Sequence, residues 1–497
     1  MKRFAQVDGP SHPVWPDPDE NVGSHLFAPR PAFRKLVVMI DAELLTDVRS
    51  TPLAKDELLS DLLESRLIDL YRYADDGPPA TVAPTPAPLP GWATSHKGWV
   101  VVTDADPVAE IWGVIYEDDV GNWVQGAVAG NAVTIAAEDA RCSAFSTLGP
   151  AAASDRRRAD GLAAQVASQV LQADLYITIR EYLHTASWGV ARGVATCRPE
   201  EALPLVGLYL RAQGSFLIST KFRFNRGLYF WVGTRELLPA AWRWFTACVQ
   251  HDGTSNAHDL TSLGQSLLQR VERALEARDR IHLALNQPQH NDTRREVLAA
   301  LDEVLVDLMG AVDAAARVVH RVLGFAADRE FGAAWQKDAW LAQVKKQAAP
   351  LALVTAPGTS GLAALTILRR LRNSVHGTAL QAMALITAGV REEQSIIGIP
   401  PDDTEVLDAM DQLGGREAWG ARPVLADHVH IDAGVFVDTL FPHVLELLNE
   451  LMSHTPVEQL ANVSLKPQDC QPPPDDPRNT GAWDEWVRTS IRWQLGL

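Results

Sequence analysis

The first half of the chain carries short, β-branched apolar runs, and the second half carries long helical repeats. LVVMID (36–41) is an unbroken apolar run closed by an aspartate, the pattern of a buried strand. DELLSDLLESRLIDLYRYA (56–74) repeats its apolar residues at three- and four-residue spacing, which predicts an amphipathic helix. WVVVTD (99–104), IWGVIYED (111–118) and AVTIAA (132–137) read as strands. The prolines of GPPATVAPTPAPLPG (77–91) remove donors and restrict their neighbours, so this stretch is a linker or a long surface loop.

From Asp155 onward helices and strands alternate. DRRRADGLAAQVASQVLQ reads as a helix, ADLYITI (173–179) and GVATC (193–197) as strands. RPEEALPLVGLYLRAQG (198–214) is a helix with proline and acids in its first turn, where geometry and the helix dipole favour them. Such alternation predicts a mainly parallel sheet. KFRFNRGLYFW (221–231) mixes basic and aromatic residues around a turn; a half-exposed hairpin is favoured there over a nucleic-acid surface.

After residue 235 the period is helical throughout. LTSLGQSLLQRVERALEARDRIHLAL, REVLAALDEVLVDLMGAVDAAARVVHRVLGF, LAALTILRRLRNSVHGTALQAMALI and PHVLELLNELMSH are the main segments. The expected fold class is therefore α/β plus all-α. Its parts are an extended arm at 1–34, an α/β domain at 35–235 with a Pro-rich insertion at 77–91, a helical domain at 236–465 and a Pro-rich C-terminal tail at 466–497.

Composition narrows the function. A net charge of −17 over 497 residues argues against a protein that coats nucleic acid non-specifically, yet leaves room for one small basic site. Four dispersed cysteines without a CxxC pair suggest neither a zinc knuckle nor a disulfide framework. The charged start lacks a following apolar core, and no run of eighteen apolar residues occurs, so a cytoplasmic protein without a membrane span is expected. No GxxxxGK[ST], GxGxxG or GxSxG pattern is present, and His428, His430 and Asp432 of DHVHID are read as incidental.

Two constellations carry chemistry. Asp41 ends a strand, Asp160 opens the helix DGLAAQVA, and Glu181 follows the strand ADLYITI. Carboxylates converging at the carboxyl edge of a parallel sheet can hold divalent cations that activate water. Taken singly, each is also a common turn or N-cap residue. The second constellation is RRLRNSVHG, where Arg369, Arg372 and His376 share a helix face and Arg370 and Asn373 sit to one side. Arginine grips phosphate, asparagine orients, and histidine moves protons near neutrality. A positive face paired with acids of neighbouring helices explains the same residues.

LVVMIDAELL (36–45), together with DGLAAQVASQVLQADLYITIREYL and GVATCRPEEAL, resembles PIN domains, metal-dependent ribonucleases with an α/β/α sandwich; the middle, 46–150, matches poorly. The resemblance implies Asp41 and Asp160 as ligands of Mg²⁺ or Mn²⁺, with Glu181 as a further candidate and Asp104, Asp106 or Glu110 as the remaining acid. That family carries an acid two residues after the strand-end threonine; here Arg180 stands there, two after Thr178. A displaced Glu181 that still reaches the metal and a lost ligand with a weakened site are both open. The Arg-Asn-x-x-His-Gly run, with LDEVLVDLMGAVDAAARVVHRVLGF (301–325) before it, resembles HEPN domains of bacterial toxin and defence ribonucleases. It implies metal-free RNA cleavage by His376 with Asn373 and either Arg370 or Arg372, substrate contact by Arg369, and a homodimer. The expected function is a ribonuclease of toxin or defence type acting on RNA. The alternative is a catalytically degenerate scaffold that serves regulation or binding, with a regulatory protein partner.

Overall fold

In the computed structural model the described residues are 1–2, 35–47, 51–77, 97–106, 111–117, 123–133, 154–184, 194–219, 222–255, 259–287, 291–376, 380–386, 393–399, 403–425, 428–475 and 481–497. The expectations for the N-terminal arm, the Pro-rich insertion and most of AVTIAA lie outside them. The chain forms two units. The first holds Lys2–Phe224 and Trp493–Gly496, the second Met1, Asn225–Arg492 and Leu497.

The first unit is built on a parallel sheet. Its strands are β1 (Leu36–Asp41), β2 (Ile68–Tyr73), β3 (Lys97–Trp99), β7 (Leu175–Ile177) and β8 (Ala195–Cys197), in the order β3-β2-β1-β7-β8. Every pairing in it is parallel, with Asp41 opposite Tyr73 and Ile40 opposite Ile177. Both faces are covered, as all-parallel sheets require. Leu36, Val38 and Ile40 pack with Leu70 and Ile177 against α1 (Lys55–Leu63) and α3 (Pro199–Ala212). Met39, Tyr71, Tyr73 and Tyr176 turn the other way, onto α2 (Ser154–Gln165) and its π-helical continuation Val166–Val170. That second face also receives an antiparallel sheet of β4 (Val101–Asp106), β5 (Ile111–Glu117) and β6 (Trp123–Ala129), through Val114 and Val128. The hairpin β9 (Phe216–Ser219)–β10 (Phe222–Phe224) completes the unit.

Local expectations need correction here. The single helix expected over 56–74 stops at Leu63, and IDLYRY is β2. Its period-two positions put Ile68 and Leu70 on one core and Tyr71 and Tyr73 on the other, and a central parallel strand has use for both faces. Asp160 lies inside α2, which begins at Ser154, and so does not open the helix. NRG of 225–227 is a helix start, not a hairpin turn: the Asn225 side chain accepts from Leu228 N at 2.8 Å. The unit boundary accordingly falls at Phe224/Asn225 instead of 235/236.

The second unit contains α4 (Arg226–Leu237), α5 (Ala241–Ser255), α6 (Asp259–Leu285), α7 (Asn291–Val322), α8 (Asp338–Gln347), α9 (Ala349–Leu353) and α10 (Ser360–His376). After them come β11 (Gln381–Ile386), β12 (Glu393–Gly398), α11 (Thr404–Gln412), β13 (Ala421–Leu425), β14 (His428–Asp432), α12 (Ala433–His454) and α13 (Glu485–Leu495), the last of which counts with this unit as far as Arg492. The all-α expectation is wrong here, because β11-β12-β14-β13 form an antiparallel sheet. QAMALI had been read as the end of the preceding helix; short apolar runs do not separate helix from strand by period alone. The final residues are also more than a Pro-rich tail, since Val487, Ile491 and Leu495 of α13 are fully buried. Among the described residues no helix is long and apolar enough to cross a membrane.

Candidate functional site

Three parallel strands deliver the first constellation to one edge. Asp41 is the last residue of β1, Tyr73 ends β2, and Tyr176 and Thr178 come from β7 and the residue just beyond it. Residue parity aims Asp41, Tyr73 and Tyr176 toward the face covered by α2, which carries Asp160. Asp41 is 3 % exposed and Asp160 2 %. Two buried carboxylates at one strand edge need compensation, because unpaired charge in a low dielectric is expensive.

Arg180 supplies it. Its Nε donates to Asp41 Oδ2 at 3.3 Å, Nη1 to Asp160 Oδ1 at 2.9 Å, and Nη2 to both oxygens of Asp75 at 3.0 Å. The guanidinium also lies over the Tyr73 ring, 5.7 Å from its centroid. Asp41 is further held by Tyr176 Oη, donating to Oδ1 at 2.7 Å, and Thr178 Oγ1, donating to Oδ2 at 2.5 Å. The Arg180 backbone N–H returns to Thr178 Oγ1 at 3.1 Å, which fixes the turn that aims the side chain.

Burial, helped by the nearby charge of Asp75, raises the Asp41 carboxyl above its ordinary range, and Arg180, Thr178 and Tyr176 offset that in part. For Arg180, burial works to lower the pKa, but the acidic groups around it, Tyr176, Asp41 and Asp75 among them, outweigh this and push it up. The phenols of Tyr73 and Tyr176 are driven upward, first by burial and then by the neighbouring acids, and stay protonated donors. The cluster is therefore a hydrogen-bonded network in which three carboxylates share one fixed cation.

Asp41 and Asp160 are engaged by a cation of the chain and, among the described residues, are not arranged with further ligands around a metal ion. Among the described residues no group of three or more His, Cys, Asp or Glu is placed to hold one. Asp41 and Asp160 do converge as expected, but on a guanidinium. Glu181 stands apart from their pairing with Arg180: it is exposed and opens the 3₁₀ turn Glu181–His184. Glu110 and the side chains of Asp104 and Asp106 lie outside the described residues. Asp75, Tyr73 and Tyr176 were not foreseen. The signal for them was the β2 pattern, which puts the residue after YRYA beside Asp41 once IDLYRY is a strand.

The second constellation is split. Arg370 Nε donates to Glu405 Oε2 at 2.8 Å and lies 3.7 Å from Asp403 Oδ1, while Arg369 Nη2 lies 3.7 Å from Glu405 Oε2. Both acids belong to the start of α11, so α10 and α11 are joined by charge. The hydrogen bond from Arg370 holds the Glu405 carboxyl below its ordinary range. Arg372 is turned elsewhere, donating to Asn373 Oδ1 at 3.4 Å and acting on Asp313 of α7. His376 is the last residue of α10, and its side chain lies outside the described ones. In DHVHID, Asp432 is an N-cap, accepting from Gly434 N at 2.9 Å and Val435 N at 3.1 Å, and His430 is buried.

A third polar cluster had no sequence signal. Asp438 of α12 accepts from Arg278 Nη2 at 2.6 Å and contacts His282 Nε2 at 2.9 Å, both on α6 and both fully buried. The terminal ammonium of Met1 bonds the same carboxylate. Burial would raise Asp438, but Arg278 and His282 reverse it and hold it well below the usual range. Burial lowers His282, so its imidazole is neutral near pH 7.

Set against models of known families, curated proteins and solved structures, the chain finds no match in any of the three comparisons.

Proposed function

We propose that the chain is a regulatory or binding protein whose first unit is a PIN-like module with its carboxylate edge closed by Arg180. The observation that carries this reading is the three-way bonding of Arg180 to Asp41, Asp160 and Asp75. The parallel order β3-β2-β1-β7-β8, with an acid at the end of the first strand, supports the PIN-like part. In such a site a divalent ion would have to activate water. A guanidinium fills the same electrostatic role toward the acids but has no open coordination position and cannot acidify water.

The reading is tested by titrating Mn²⁺ into the wild-type protein and into Arg180→Ala, with heat release as the readout. The wild type is expected to take up no Mn²⁺ at micromolar concentrations. The variant leaves three carboxylates uncompensated and is expected to bind the ion and to gain thermal stability from it. Saturable Mn²⁺ binding by the wild type that Asp41→Asn abolishes, together with EDTA-sensitive RNA cleavage, overturns the proposal. RNA cleavage that resists EDTA and is lost in His376→Ala would return the function to a metal-free ribonuclease seated on α10.

A further inference from the structure

Charge along the seam between α6 and α7 is paired level by level. Arg280 meets Glu303, Arg273 meets Asp307 at 2.9 Å, and Arg270 reaches the same Asp307 at 3.4 Å. Near the far end of α7, Arg321 is held by Glu330 at 2.7 Å and Asp259 at 2.8 Å. At the level of Asp313 the balance fails. Four cations face that one acid: Arg372 from α10, Arg317 from α7, Arg270 from α6, and Lys337 just before α8. Arg317, Lys337 and Arg372 have no ion pair among the described residues. In a chain of net charge −17, Arg317, Lys337 and Arg372 form a local positive surplus beside Arg270, which is already paired with Asp307.

The surplus is shaped. Arg270 lies across the backbone of α7 at Gly310, where an added Cβ would stand 2.2 Å from Nη1, so the absence of a side chain makes room for the guanidinium. Arg317 sits over the ring of Phe331 at 5.6 Å from the centroid. Phe331 is 87 % exposed, the most exposed of the large apolar side chains described. One ring face is taken by a cation and the rest of the ring is open to solvent. A single exposed phenylalanine is ordinary on a surface; what sets Phe331 apart is the guanidinium over its ring beside further cations.

We propose that Arg317, Phe331, Lys337, Arg372 and Arg270 form a binding patch for single-stranded nucleic acid, with phosphates on the cations and a base stacked on Phe331. Guanidinium forks suit phosphate oxygens, and an aromatic ring beside them suits an unpaired base of any identity. An acidic peptide would use the cations but leave the ring idle. Asp313 limits the affinity by repelling the backbone. The patch draws on α6, α7, α10 and the segment 327–337, shares Arg372 with the Arg-Asn-x-x-His-Gly run of α10, and is independent of the Arg180 network.

The test is fluorescence anisotropy with a labelled twelve-nucleotide oligo-U, its deoxy counterpart, and poly-glutamate as competitor. The wild type is expected to bind both oligonucleotides at low salt, with affinity falling as salt rises. Phe331→Ala should weaken binding by about fivefold or more at unchanged salt slope, the range of one base–aromatic stack. Arg317→Ala combined with Lys337→Ala should lower the slope of log Kd against log salt by about 1.4, two single-strand phosphate contacts. Asp313→Asn should tighten it. Phe331 and Lys337 are exposed while Arg317 and Asp313 are half-buried, so thermal melting checks that each variant keeps the fold. No binding by the wild type at low salt, or binding insensitive to Phe331→Ala and displaced equally by poly-glutamate, overturns the proposal.

Discussion

Arg180 shows how one side chain decides what a sheet edge can do. Its fork reaches three carboxylates in three directions, which needs both charge and planar geometry. Arg180→Lys keeps the charge but offers a shorter, single ammonium, so at least one acid loses its partner. That substitution is expected to lower stability by about 1.5–3 kcal/mol, read from chemical denaturation, without creating Mn²⁺ affinity. Equal stability of the two proteins would show that the fork is not needed. The residue itself stood out in the sequence, because an arginine two positions after Thr178 breaks the acid pattern. That it would meet those acids did not stand out, since the meeting depends on strands far apart in the chain being neighbours. Asp41 and Asp160 could be picked out by their places in the chain. Asp75 could not, being only a turn residue until β2 is known.

At the scale of elements, legibility followed length. α6 and α7 were plain from their period, whereas β2 and β11 were absorbed into the helices before them. A six-residue apolar run contains too few periods to separate strand from helix, and long-range pairing settles it. The start of α10 makes the packing demand explicit. Thr359 caps the helix, its Oγ1 accepting from Leu362 N at 3.2 Å, and Gly361 follows against the carbonyl of Val354. A Cβ there would lie 2.4 Å from that oxygen and 3.2 Å from Leu447 Cδ1. Alanine normally improves a helix interior by about 1 kcal/mol over glycine. Here overpacking of about 1–3 kcal/mol is expected to win, so Gly361→Ala should lower the melting temperature. A rise would mean that α9 and α10 separate freely.

For the molecule as a whole, pH is the informative variable for the second unit. His282 is buried with its pKa below 6.5, so the unfolded chain takes up a proton before the folded one does. The stability it contributes is complete above pH 6.5 and is lost as pH falls through the folded value. Asp438, held below 3.8, acts in the same direction but only in stronger acid. Denaturation followed between pH 7 and pH 5 should therefore show falling stability, and His282→Gln should flatten that slope; an unchanged slope removes His282 from the account. The Arg180 network of the first unit bears on a different variable, the supply of divalent ions. A metal must be found in the medium, can be stripped by a chelator, and can be exchanged for another. A guanidinium arrives with the chain at synthesis, so Asp41 and Asp160 gain their cation in the same event that orders β1 beside β7. On the reading proposed for this edge, a single codon and not a supply of ions sets its charge.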